Sequence, residues 1–124
     1  MALHLYFDAA HANQVSEGSN ANPWTDRYNG TTGETKQVTL YLWNDASATR
    51  TYKAITLGSS GDTAAIDLEF SPNGSTGWVE SLSLADGDYA TAAPVYVRCV
   101  VAAGTGVQNF AVGKITVSAE EEAK

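Results

Sequence analysis

Apolar and polar residues alternate with a period of two along most of this chain, and the alternation is densest over residues 94–119. Val95, Val97, Cys99 and Val101 fall on one face of an extended segment, with Tyr96, Arg98 and Val100 on the other. Further on, Ala111, Gly113, Ile115 and Val117 alternate with Phe110, Val112, Lys114 and Thr116. Such alternation, rich in Val, Ile, Tyr and Thr, marks half-buried strands. Ala103-Gly104-Thr105-Gly106 supplies turn chemistry between them, because glycine reaches positive φ without steric cost. The pattern predicts an antiparallel hairpin forming the densest part of the core.

Earlier segments repeat the theme. Residues 2–8 set Leu3, Leu5 and Phe7 against His4 and Tyr6, a short first strand. Residues 37–43 set Val38, Leu40 and Leu42 against Thr39, Tyr41 and Trp43. Bulk on both faces predicts a central strand with an aromatic pair near its second face. A turn at Asn44-Asp45-Ala46-Ser47 leads to 51–57, where strict alternation puts Tyr52, Ala54 and Thr56 opposite Lys53, Ile55 and Leu57. A loop at 58–62 precedes the strand 64–70, with Ala64, Ile66, Leu68 and Phe70 opposite Ala65, Asp67 and Glu69. Residues 71–77 hold Asn73-Gly74 and read as a hairpin loop, with 78–80 as the return strand and 81–84 as another short strand.

No segment shows helical spacing over three turns. Seven or eight short strands punctuated by Gly and Asn predict an all-β fold, an antiparallel β-sandwich. One domain is expected: a strand and long loop or arm over 1–36, a sandwich body over 37–119, and a frayed acidic tail over 120–124. Residues 9–36 are the longest irregular stretch, and stretches of that length tend to be functional or ordered by a partner. Part of it is expected to pack on the sheet or to add a short edge strand.

Composition narrows the picture. With 124 residues, 44% of them apolar, the chain suits one core. Seven basic and 14 acidic residues give 7 − 14 = −7, a surface that repels phosphate, so no nucleic-acid partner is expected. Cys99 is the single cysteine, which excludes an intramolecular disulfide and a cysteine-based zinc site; on the apolar face of its strand it reads as a small core residue. The first residues lack the basic region of a secretory signal, and no apolar run approaches a membrane span, so no membrane partner is expected.

Catalytic chemistry finds little footing. His4 and His11 are the two histidines, and the spacing of His4, Asp8 and His11 matches no metal motif with a mechanism. Asp62, Asp67 and Glu69 form one acidic group and Asp86 with Asp88 another, which solvation explains. Asp86-Gly87-Asp88 lacks the remaining ligands of a calcium loop. Neither catalytic residues nor a cofactor nor a metal is expected. Trp24, Tyr28, Tyr41, Trp43, Trp78 and Tyr96 suit a sugar-binding platform or, more simply, packing. Trp24 lies in the long loop, and Asn22, Pro23, Trp24 and Tyr28 are the candidate partner-binding residues.

Two stretches carry a resemblance. Gly33-Glu34 followed by Val38-Thr39-Leu40-Tyr41-Leu42-Trp43-Asn44-Asp45, and Pro94-Val95-Tyr96-Val97-Arg98-Cys99-Val100-Val101-Ala102-Ala103-Gly104-Thr105, are similar to segments of small immunoglobulin-like structural proteins of tailed bacteriophages. Leu84-Ala85-Asp86-Gly87-Asp88-Tyr89 also resembles the immunoglobulin-like corner in which a Tyr hydroxyl bonds back to nearby backbone, with a spacing slightly off the usual pattern; a plain turn followed by a half-buried Tyr fits the same residues. The resemblance spans about residues 33–118 in pattern and implies an immunoglobulin-like sandwich. It implies a non-enzymatic virion protein, made in the host cytoplasm and added to the capsid exterior as a decoration or cement protein. The major capsid protein is then the partner, with homo-oligomers on the capsid also expected. A tail or baseplate protein is the alternative within that setting; a carbohydrate-binding module is the alternative outside it.

Overall fold

The computed structural model describes residues 1–15, 26–60, 66–104, 106–110 and 114–124. Among them lie nine strands and no helix: β1 (Leu3–Tyr6), β2 (Asp26–Gly30), β3 (Glu34–Asn44), β4 (Arg50–Ser60), β5 (Ile66–Ser71), β6 (Leu82–Leu84), β7 (Ala93–Val101), β8 (Gly106–Phe110) and β9 (Lys114–Ala123). A four-stranded sheet runs β1-β3-β7-β5 and a three-stranded sheet runs β6-β4-β9, every pairing antiparallel. The two sheets pack as a β-sandwich. Leu3, Leu5, Leu40, Leu42, Leu68, Phe70, Val95, Val97, Cys99 and Val101 face inward from one sheet, and Tyr52, Ile55, Leu57 and Ile115 from the other. Cys99 is fully buried, as its place in the alternation predicts.

The strand at 94–101 is central, but its partners are not those expected. β7 lies between β3 and β5, and β9 pairs with β4 in the opposite sheet. Between them the chain forms β8, which pairs with β2 from Asp26↔Phe110 to Gly30↔Gly106. Alternation locates strands without saying which edges meet, and the turn at 103–104 leads to β8 and not to a hairpin between β7 and β9. The β2–β8 ribbon prolongs the β3–β7 pair past two glycines at positive φ, Gly33 (78°) and Gly104 (85°). A Cβ on Gly33 would lie 3.1 Å from the Val101 carbonyl oxygen, so the close approach of the two chains there also requires glycine. Residues 26–30 of the long N-terminal stretch thus supply a short strand, as expected for part of it.

Three further expectations change. β4 runs on through Gly58 and Ser59 to Ser60, where a loop was predicted, because these residues pair with Thr116, Ile115 and Lys114. Residues 120–123 are no frayed tail but the end of β9, held by Arg50–Glu121 at 2.9 Å and Lys53–Glu122 at 2.6 Å. The return strand at 78–80 reduces to one bridge, Val79 with Phe70.

Strict alternation fails in β4. Its register with β9 slips by one between Lys53 and Thr56, where two residues, Ala54 and Ile55, oppose Ala119 alone. This is a β-bulge, and Ala54 at φ 51° is its strained residue. The extra residue brings Tyr52 round to the side of Ile55 and Leu57, so all three are buried. Tyr52 receives the Ala2 N–H on its hydroxyl at 2.8 Å, tying the start of β1 to the opposite sheet.

The corner at 85–90 pins this region. The Asp86 carboxylate accepts the Ala54 N–H at 3.3 Å, and Gly87 and Tyr52 exchange two backbone hydrogen bonds. Buried Asn44, at the end of β3, donates its side-chain amide to the carbonyls of Asp88 (2.9 Å) and Arg50 (3.1 Å) and accepts the Ala46 N–H. The Tyr89 hydroxyl donates to the Ala85 carbonyl at 2.6 Å, the hydrogen bond that the corner motif predicts.

Candidate interaction surface

The inward residues of β3 and β7 fix what the same strands show to the outside. With Leu40, Leu42, Val95 and Val97 buried, Thr39, Tyr41, Trp43, Tyr96 and Arg98 lie on the outer face of the four-stranded sheet. Register sets their spacing: Thr39 lies across from Tyr96, Gln37 across from Arg98, and Arg98 across from Glu69 on β5.

At one end, Trp43 stands beside Tyr6 in an edge-on pair with ring centres 5.9 Å apart. The His11 ring lies flat on Trp43, centres 3.5 Å apart and planes 3° from parallel. The Trp43 indole N–H donates to the Ala90 carbonyl at 3.2 Å, which fixes the ring against the corner. His11, at φ 49°, closes a tight turn in which Asp8 accepts the N–H groups of Ala12 and Asn13. Asp8 therefore organises backbone beside His11. The described residues contain no cluster of three His, Cys, Asp or Glu side chains able to hold a metal.

At the other end, the Arg98 guanidinium lies 4.4 Å from the centre of the Trp78 ring, and its Nε donates to Glu69 at 2.8 Å. Tyr96 packs under the 71–77 loop, where a Cβ on Gly74 would come within 2.9 Å of its ring. Gln37 donates to the Gly74 carbonyl at 3.3 Å. That loop is folded by buried Ser71, whose hydroxyl accepts the N–H groups of Asn73 and Gly74 and donates to the Thr76 carbonyl at 2.5 Å.

His11 covers one face of Trp43 and Arg98 covers one face of Trp78. Rigid Trp, Tyr and Arg side chains, held by their neighbours before any partner arrives, are the residue types that dominate protein contacts.

Of the residues singled out in the sequence, Asn22, Pro23 and Trp24 lie outside the described residues. Tyr28 sits in β2, in register with Gln108. Asp62 also lies outside them, while Glu69 serves Arg98, Asp86 serves the bulge and Asp88 pairs with Lys124 at 2.6 Å. Lys124 and the Thr51 hydroxyl hold the Asp88 carboxyl below its ordinary range. The pairing of Trp78 with Arg98 and of His11 with Trp43 was not read from the sequence. Only the outward position of Arg98 and the aromatic bulk of 37–43 hinted at them. Comparison with protein-family models, curated proteins and solved structures finds no match to this chain.

Proposed function

We propose that this chain is a non-enzymatic structural protein of a bacteriophage virion, a decoration protein that binds the exterior of the expanded capsid and stabilises it. The observation that carries the reading is the pairing of β3 with β7. The two stretches that resemble phage structural proteins are separated by about 50 residues in the chain. They are nonetheless hydrogen-bonded neighbours from Glu34↔Val101 to Leu42↔Ala93. Their common outer face carries Tyr41, Trp43, Tyr96 and Arg98, suited to contact with a major capsid protein. The Tyr89 hydrogen bond supports reading the sandwich as immunoglobulin-like.

A protein that binds the assembled shell and not its dissociated subunits stabilises the shell by its binding free energy. The β2–β8 ribbon, with Tyr28, and the adjoining Asn22, Pro23 and Trp24 contribute the second part of the contact in this reading. The test is to mix purified protein with expanded heads stripped of it, with unexpanded heads and with tails, and to pellet each. Saturable pelleting with expanded heads alone is expected. Pelleting with tails alone moves the protein to the tail, and pelleting with none of the three overturns the virion reading and makes a glycan screen the next step.

A further inference from the structure

The chain contains two Asn-Gly pairs, Asn29-Gly30 and Asn73-Gly74. Glycine has no Cβ to hinder its own nitrogen, so an asparagine placed before it is the most open to attack on its side-chain carbonyl carbon. In the 71–77 loop the parts of that reaction are already assembled. Asn73 Oδ1 accepts the N–H groups of Ser75 at 2.9 Å and Thr76 at 2.8 Å. Two backbone donors on one carbonyl oxygen stabilise the negative charge that builds there when its carbon is attacked. Asn73 Nδ2, the nitrogen that would leave, donates to the Thr76 hydroxyl at 2.9 Å. What is withheld is the attacking nitrogen, because the Gly74 N–H donates to the Ser71 hydroxyl oxygen at 3.0 Å. Ser71 is fully buried, and its own donation to the Thr76 carbonyl fixes that oxygen in place.

We propose that Asn73 is a latent modification site, primed by Ser75 and Thr76 and locked by Ser71, which loses its side-chain amide as ammonia once Gly74 is released. The Gly74 nitrogen forms a bond to Asn73 Cγ, the Cγ–Nδ2 bond breaks, and the Gly74 amide proton leaves with that nitrogen as ammonia. The cyclic imide so formed then takes up water. Opening at Cγ leaves aspartate at position 73. Opening at the main-chain carbonyl leaves an iso-aspartyl linkage, with the main chain running through Cγ. Nothing is oxidised or reduced in either step. Both products put a carboxylate into the loop that seats Tyr96, and the iso-aspartyl form also lengthens its backbone by a carbon. The inference stands on this loop alone and does not rest on the virion reading.

Peptide mapping by mass spectrometry of the full chain, aged at neutral pH, tests it, with conversion at Asn73 and at Asn29 followed in the same digest. In the folded chain Asn73 should keep its amide, and in urea it should convert at least about tenfold faster. Ser71→Ala, still folded, should speed conversion at Asn73 about tenfold, the effect of about one hydrogen bond lost from the closed loop, and should leave Asn29 unchanged. Ser71→Cys, close in size and a poorer acceptor, takes its place if the alanine variant does not fold. A folded, unaltered chain that converts at Asn73 as fast as the chain in urea overturns the proposal. So does a folded Ser71 variant in which Asn73 converts no faster than in the unaltered chain, or one in which Asn29 speeds up equally, since the protection would then come from the fold at large and not from Ser71.

Discussion

Ala54 occupies a backbone conformation that an L side chain adopts at a cost, φ 51°, and does so because the bulge turns Tyr52 into the core. Replacing Ala54 with glycine should therefore be neutral or stabilising, by up to about 1 kcal/mol, whereas Thr56→Gly, in ordinary strand backbone, should cost about 1 kcal/mol. Urea unfolding of the two variants checks the contrast, and equal losses would show that the bulge carries no strain. Tyr52 itself reports on alkaline stability. Burial pushes its hydroxyl above the ordinary value of 10.0, with the Ala2 N–H pulling the other way, and burial together with the nearby Asp86 carboxylate raises Tyr89 likewise. A raised folded value means the folded state holds the proton more tightly. The stabilisation is complete below the ordinary value and is lost as pH rises through the folded one. The melting temperature should fall at strongly alkaline pH, and the fall should shrink in a Tyr52→Phe, Tyr89→Phe double variant.

At the scale of elements, β3 and β7 act as one unit with two faces: the inner builds the core and the outer holds aromatic and basic side chains in fixed positions. The 71–77 loop is part of that outer face because it seats Tyr96. Gly74→Ala puts a methyl group 2.9 Å from the Tyr96 ring at a backbone φ of 77°. It should cost about 1–2 kcal/mol for the backbone alone, and should displace Tyr96. Chemical denaturation gives the first quantity and the Tyr96 ring resonances give the second; an unshifted ring would mean that the loop yields instead. The element that sequence reading rendered worst is β9. A run of Glu120-Glu121-Glu122 suggests a solvated tail, yet Arg50 and Lys53 on the neighbouring strand pair with it. Those cations lie about 70 residues away in the chain, where no local pattern connects them to the glutamates.

For the whole molecule, the proposed attachment is tested at the outer face of the four-stranded sheet, which carries Trp43 and Arg98. Arg98→Ala and Trp43→Ala should each weaken attachment to expanded heads about tenfold or more. Occupancy measured on pelleted heads checks this. If Arg98→Ala leaves occupancy unchanged, the contact lies elsewhere, and the ribbon with Tyr28 and Trp24 becomes the surface to alter.

The sequence by itself determined that the fold is all-β, because a period of two over short segments builds sheets with an apolar face to bury, and the number and spacing of the strands pointed to a sandwich. It determined most strand positions and the burial of Cys99, and left the Tyr89 hydrogen bond as one of two readings. The tertiary structure decided which strands pair, since edges are joined by backbone groups that every residue carries alike. It decided the face of Tyr52, because one inserted residue reverses the alternation beyond it. It also decided the candidate surface: Arg98, Glu69 and Trp78 meet through pairings and a loop closure between distant parts of the chain, and no spacing within one segment encodes that meeting.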